Sequence, residues 1–229
     1  MQPDIQVISS SVPLSASAHK VLRNTYMMLG LTMIPTVIGA FIGVNINFSF
    51  MAGHPIMGML GMLAIMFGGF WLVAANRNNV IGVVALLGLT FFMGIMLGPI
   101  LQMALHFRNG AQLVGMAAGG TGIIFLSLAG IATVTKKDFS FLGTFLFVGL
   151  ILLIIASLAN MFFQIPAMYL ALSAVSILIF SGYILFDVSR IIHGGETNYV
   201  MATLQIYLDI YNIFVNLLTL LMALAGDRR

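Results

Sequence analysis

Two aspartates carry most of the chemical information in this sequence. Asp187 and Asp209 stand in apolar segments where polar side chains recur at helical spacing. Gln205, Asp209, Asn212, Asn216 and Thr219 follow one another at three- or four-residue steps. On a helix such spacing puts them within roughly 40° of one line. Ser173, Ser176, Tyr183 and Asp187 mark a similar stripe one segment earlier. Carboxyl and amide groups are costly in hydrocarbon, so both stripes are expected to turn toward the protein interior or toward water. Two carboxyls held close in such a place resist ionising together. The pair is therefore a candidate pH sensor and a candidate cation ligand. It equally fits a buried polar network that only sets the packing.

The helices that carry the two acids must bring them together. Asp187 lies shortly before His193, at the end of one predicted helix, and Asp209 lies further inside the next, after Tyr199. At 1.5 Å per residue the acids sit roughly 9 and 15 Å from the same end of an antiparallel pair. Gly194-Gly195 ends the first of these helices through a left-handed cap, and Thr197 or Asn198 caps the second. Arg77, in a turn predicted at the same membrane face, is a candidate latch for one of the aspartates; alternatively it points to water. His54, His106 and His193 fall in separate turns and make no zinc motif. Cysteine is absent, which excludes thiolate metal sites, disulfides and a cysteine nucleophile. No phosphate-binding loop or serine-hydrolase motif occurs. The expectation is a protein without a cofactor and without enzymatic activity.

The rest of the chain reads as an all-α polytopic membrane protein. Of its 229 residues, 61% are hydrophobic and 7% charged, against about 25% charged in soluble domains. Asn24–Asn76, Asn78–Phe107, Asn109–Thr135 and Phe139–Phe186 contain no Lys, Arg, Asp or Glu. A membrane span needs about 20 apolar residues, so two of these stretches hold one helix each and two hold a pair. The pattern predicts a seven-transmembrane-helix bundle over 24–226: Tyr26–Val44 with Pro35 as a kink, Ile56–Ala75, Val80–His106, Leu113–Val134, Phe139–Phe163, Ala167–Ile192 and a last helix to Ala225. Residues 1–23 read as a cytosolic, disordered tail and 227–229 as a short C-terminal one. Lys20, Arg23, Arg77, Lys136, Lys137 and Arg190 fall on one side, and Arg108, Arg228 and Arg229 on the other. That balance places the N-terminus in the cytoplasm and the C-terminus outside, and the basic residues are too scattered for nucleic acid. Gly39/Gly43, Gly94/Gly98 and Gly115/Gly119 have the spacing of close helix contacts and are expected to pack within one bundle.

Several long runs resemble the signature of the Bax inhibitor-1 family. They are Phe186-Asp187, the run Ile191-Ile192-His193-Gly194-Gly195-Glu196-Thr197-Asn198-Tyr199, and Tyr207-Leu208-Asp209-Ile210-Tyr211-Asn212-Ile213-Phe214. Gly98-Pro99-Ile100 and Lys137-Asp138 through Gly143 match further family segments. His19-Lys20-Val21-Leu22-Arg23-Asn24-Thr25-Tyr26 is most similar to its bacterial branch. The resemblance implies residence in a bacterial inner membrane and two functions of different class. One is to serve as substrate and modulator of the membrane-anchored, ATP-dependent protease FtsH, engaged through the N-terminal tail. The other is a pH-sensitive calcium leak that uses paired aspartates, here Asp187 and Asp209, and a basic latch, here Arg77.

Overall fold

The computed structural model describes residues 16–48 and 53–226, the side chains of residues 55, 56 and 59 apart. Within them the chain forms α1 (Ala16–Asn45), α2 (Pro55–Ala75), α3 (Val80–Met96), α4 (Gly98–Leu105), α5 (Gly110–Thr135), α6 (Leu142–Phe163), α7 (Pro166–Ile192) and α8 (Tyr199–Gly226). Among the described residues, six helical units are long and apolar enough to cross a membrane: α1, α3 with α4, α5, α6, α7 and α8. The apolar run in α2, Leu60–Ala75, is shorter than these.

Two boundaries differ from expectation. Helix α1 begins at Ala16, so Ala16–Arg23 are helical and the rest of the expected tail lies outside the described residues, as do residues 227–229. Pro35 sits inside α1 without ending it. The helix expected over Val80–His106 is divided between α3 and α4 at Leu97. Pro99 stands in the first turn of α4, and its missing N–H leaves the Ile95 carbonyl without its helical donor.

Helix α8 is the centre of the bundle: it packs against every other helix except α6. Its own sequence explains this, because Val200, Ile206, Tyr207, Ile213 and Leu218 are each at most 1% exposed. Helix α6 packs only on α7 and turns Phe145, Phe147, Leu152, Phe162 and Phe163 outward. In hydrocarbon that outward face needs no cover.

The tightest contact is between α1 and α3, and glycines make it. A Cβ at Gly39 would strike the Phe91 carbonyl oxygen, one at Gly43 the Ile95 oxygen, and one at Gly94 the Thr36 oxygen. Along the seam Gly39 meets Phe91, Gly43 meets Ile95 and Gly98 meets Gly43, so α1 and α3 run parallel. The first two expected glycine pairs therefore pack as the spacing implied. The third does not, since a Cβ at Gly115 or Gly119 would meet nothing within 4 Å.

A carboxyl pair beside the last turn

The turn between α7 and α8 is built from its own side chains. Gly194 adopts φ 77°, open to glycine at little cost, and the N–H groups of Gly195 and Glu196 return to the Arg190 carbonyl at 2.7 and 3.2 Å. Asn198 then caps α8: its Oδ1 accepts from the N–H groups of Val200 and Met201, both at 3.0 Å. The same side chain donates through Nδ2 to the Arg77 carbonyl at 3.0 Å and to Asn78 Oδ1 at 2.8 Å. One amide thus caps a helix and ties the α2–α3 turn to the α7–α8 turn.

This turn sets α7 and α8 antiparallel and brings the two aspartates into contact. Asp187 is 6% exposed and Asp209 4%, and their carboxyls are close neighbours across the helix pair. Asp209 Oδ2 is buried without a hydrogen-bond partner among the described residues. Tyr183 stands close to both acids.

The basic partner is Arg190. Its guanidinium lies 3.8 Å from Asp187 Oδ1, stacks 5.5 Å above the Phe186 ring and donates to the Gly195 carbonyl at 3.3 Å. This is the one ion pair among the described residues. Arg77, the candidate latch, has an exposed side chain and meets this region through its backbone carbonyl instead. Sequence reasoning assigned Arg190 only an orienting role, although a cation three residues after Asp187 shares its helix face.

The polar stripes continue along α7 and α8 away from the acids. Asn212 and Asn216 donate to the carbonyls of Leu208 and Asn212, each at 2.8 Å, and Thr219 to that of Val215 at 2.9 Å. Gln205 is half-buried. Asn216, Ser173 and Ser176 line a cavity of about 430 Å³ shared with Asn160 and Gln164 of the α6–α7 corner. The stripe therefore holds the carboxyl pair at one end and a polar cavity further along.

The opposite face of α8 carries a second polar line that sequence reasoning missed. Thr203 Oγ1 donates to the Tyr199 carbonyl at 2.7 Å and lies 3.4 Å from that of Thr25. The Tyr207 hydroxyl meets Thr36 Oγ1 at 2.8 Å, and the Tyr211 hydroxyl donates to the Met93 carbonyl at 3.3 Å. Thr203, Tyr207 and Tyr211 are four residues apart, a signal that holds no charged or amide side chain to draw attention to it.

A calcium site would need more than the pair supplies. Calcium takes six to eight oxygens; two carboxylates offer at most four, and no group of three His, Cys, Asp or Glu gathers among the described residues. Near the turn, Ser189 Oγ accepts from the Phe139 N–H at 2.9 Å and joins the α5–α6 connection to α7. In that connection hydrogen bonding from Ser140, its N–H at 2.8 Å, holds the exposed Asp138 carboxyl below the usual carboxylate range.

Comparison with known proteins places the chain. The family model described as "Inhibitor of apoptosis-promoting Bax1" matches residues 18–226. The chain belongs to the Bax inhibitor-1 family. It is 42% identical over 218 residues to the Escherichia coli K12 protein named "Modulator of FtsH protease YccA", covering 94% of this chain and 96% of that one. The same identity holds for the protein of another E. coli strain, named "Inner membrane protein YccA". An uncharacterized Pseudomonas aeruginosa protein is 39% identical over 99% of this chain and 100% of its own length. This member of the Bax inhibitor-1 family is thus a helical membrane protein whose last two helices hold a buried carboxyl pair.

Proposed function

We propose that this chain modulates a membrane-anchored protease of the FtsH kind in a bacterial inner membrane. The observation that supports this most is the likeness along nearly its whole length to a protein named as a modulator of that protease. The bundle suits such a role. Close α1–α3 glycine packing and the hydrogen bonds from Thr203, Tyr207 and Tyr211 bind three helices together, so pulling one helix out disrupts the others. An ATP-driven protease that takes hold of such a chain is occupied without prompt release. The proposed handle is the segment from Met1 to Arg23, cytoplasmic by its flanking charges, and no catalytic activity of the chain's own is required.

The topology that goes with this reading has seven crossings, with the C-terminus outside. Its support is geometric: α1 and α3 run parallel, so the chain must return across the membrane between them, and α2 is the connecting helix. Its 21 residues rise about 31 Å, which matches a hydrocarbon core of about 30 Å. The test of the function is co-purification from membranes of the full chain and of a variant lacking residues 1–15, with the protease as the readout. The full chain is expected to retain the protease and the shortened chain to lose it while keeping its melting temperature. Equal retention by both would remove the tail from the account.

A second reading, a pH-sensitive calcium leak, is favoured by one observation, the unpartnered Asp209 oxygen between a carboxyl contact and a polar stripe. Calcium flux from proteoliposomes at pH 6 and pH 8 separates the two. Flux that changes with pH and is altered by Asp187→Asn or Asp209→Asn supports the leak. No flux above empty liposomes, from folded protein, leaves the pair as a packing element.

A further inference from the structure

Helices α1 and α5 flank a slot in the bundle wall. No Cα of one comes within 8 Å of a Cα of the other, and the space between them, floored by α8, measures about 1200 Å³. Its walls are apolar and partly smooth: a Cβ added at Gly30, Gly122 or Gly130 would meet nothing within 4 Å. On α1 the slot runs from Tyr26 to Val44, roughly 27 Å, so it is open to hydrocarbon over most of the bilayer thickness.

One mouth of the slot is basic on both rims. Tyr26 bridges the rims there, edge-on to Phe125 with ring centroids 6.0 Å apart and with its hydroxyl near Thr133. Thr133 Oγ1 is already committed to the Ala129 carbonyl at 2.7 Å, and the buried Tyr26 hydroxyl has no hydrogen-bond partner among the described residues. Lys20 and Arg23 lie within two turns of Tyr26 on α1, and Lys136 and Lys137 lie within four residues of Thr133 at the end of α5. None of these four cations has an ion pair among the described residues. The nearest acid in sequence, Asp138, accepts from Ser140. The other mouth, near Val44 and Leu105, has Arg108 alone among the described residues.

We infer that the slot holds an acyl chain of an anionic phospholipid, whose phosphate sits between Lys20 and Arg23 on one rim and Lys136 and Lys137 on the other. The hydrocarbon chain lies against Gly30, Gly122 and Gly130, where the wall leaves room for it. At the mouth the Tyr26 hydroxyl, at the depth where tyrosines meet the headgroup boundary, donates to an ester or phosphate oxygen. A neutral lipid fills the slot as well but gains nothing from the four cations. A protein helix gains nothing from them either unless it brings its own acids.

The test is native mass spectrometry of the full chain in detergent, with phosphatidylglycerol and phosphatidylcholine of matched chains added. Phosphatidylglycerol is expected to stay bound at one per chain and phosphatidylcholine to leave. Arg23→Gln and Lys137→Gln should each weaken retention about fivefold, from about 1 kcal/mol per basic residue at a membrane surface. Gly122→Leu narrows the slot at a point where an added Cβ meets no neighbour within 4 Å, so retention should fall severalfold while the melting temperature holds; Ala118→Leu, on the same wall, repeats this independently. Equal retention of both lipids would overturn the inference. So would phosphatidylglycerol binding that survives both slot-filling changes, which would reduce it to surface attraction. A chain dimer that disappears on filling the slot would assign the space to a helix instead.

Discussion

Replacing Asn198 separates two jobs held by one side chain. Its Oδ1 accepts two N–H groups of the first turn of α8, and its Nδ2 donates to the Arg77 carbonyl and to Asn78. Asn198→Ala removes both sets. Loss of a helix cap costs about 1 kcal/mol, and two exposed hydrogen bonds between turns add about 0.5 kcal/mol each at the low end of their range. The expected total is about 2 kcal/mol. Asn198→Asp keeps an acceptor at the α8 N-terminus, where a negative charge is favoured, but loses both donors and faces two oxygens with a carboxylate. It should cost about 1 kcal/mol. With about 2–4 °C per kcal/mol for a chain of this size, the alanine variant should melt roughly 4–8 °C lower in detergent, and the aspartate variant roughly half as far. An additional Asn78→Ala should cost little once Asn198 is Asp, because the bond it would remove is already gone. Equal destabilisation by Ala and Asp would refute the cap, and full additivity with Asn78→Ala would refute the link between the turns.

Three further outcomes follow from the packing and the polar contacts. Gly94→Leu should prevent the α1–α3 seam from closing and abolish recovery of monodisperse protein, whereas Gly115→Ala should leave the melting temperature unchanged or raise it slightly, since nothing opposes its Cβ. Tyr207→Phe removes the contact of Thr36 with α8 while its bond to the Thr90 carbonyl of α3 remains, and a double-mutant cycle with Thr36→Val, read by melting in detergent, should give a coupling of about 0.6 kcal/mol. The Asp138 carboxyl, held below its ordinary range by Ser140, favours the α5–α6 connection above the unfolded-state pKa. That preference is lost as pH falls through the lower folded value, so Ser140→Ala should move the Asp138 titration upward in a carboxyl NMR experiment.

How much could be read from residues alone depended on how each interaction is encoded. Helical class and most boundaries follow from long charge-free runs, and the meeting of Asp187 with Asp209 follows from counting residues back to a shared turn. The polar stripe of α8 was legible for the same reason: three- and four-residue periods survive translation into three dimensions. The division at Leu97 was missed because Gly98-Pro99 lies inside an unbroken apolar run, and the hydropathy signal does not register a missing N–H. Arg77 and Arg190 are both basic residues at the same face. Only the turn geometry decides that Arg190 points back to Asp187 while Arg77 offers its carbonyl to Asn198. Tyr207 and Tyr211 went unnoticed because their rings satisfy the apolar pattern and their hydroxyls find threonine and backbone partners on helices far away in sequence. Likewise Gly115 and Gly119 share a spacing with Gly39 and Gly43, but spacing does not say whether another helix arrives.

The most direct test of the proposed role is the turnover of a reporter membrane substrate by purified FtsH in proteoliposomes as the full chain is titrated in. Turnover should slow as the chain reaches equimolar amounts with the protease, removing residues 1–15 should restore it, and Asp187→Asn and Asp209→Asn should leave the inhibition intact. Unchanged turnover at a several-fold excess of folded chain would contradict the modulator reading, and inhibition lost in the aspartate variants would join the carboxyl pair to a role the account keeps separate.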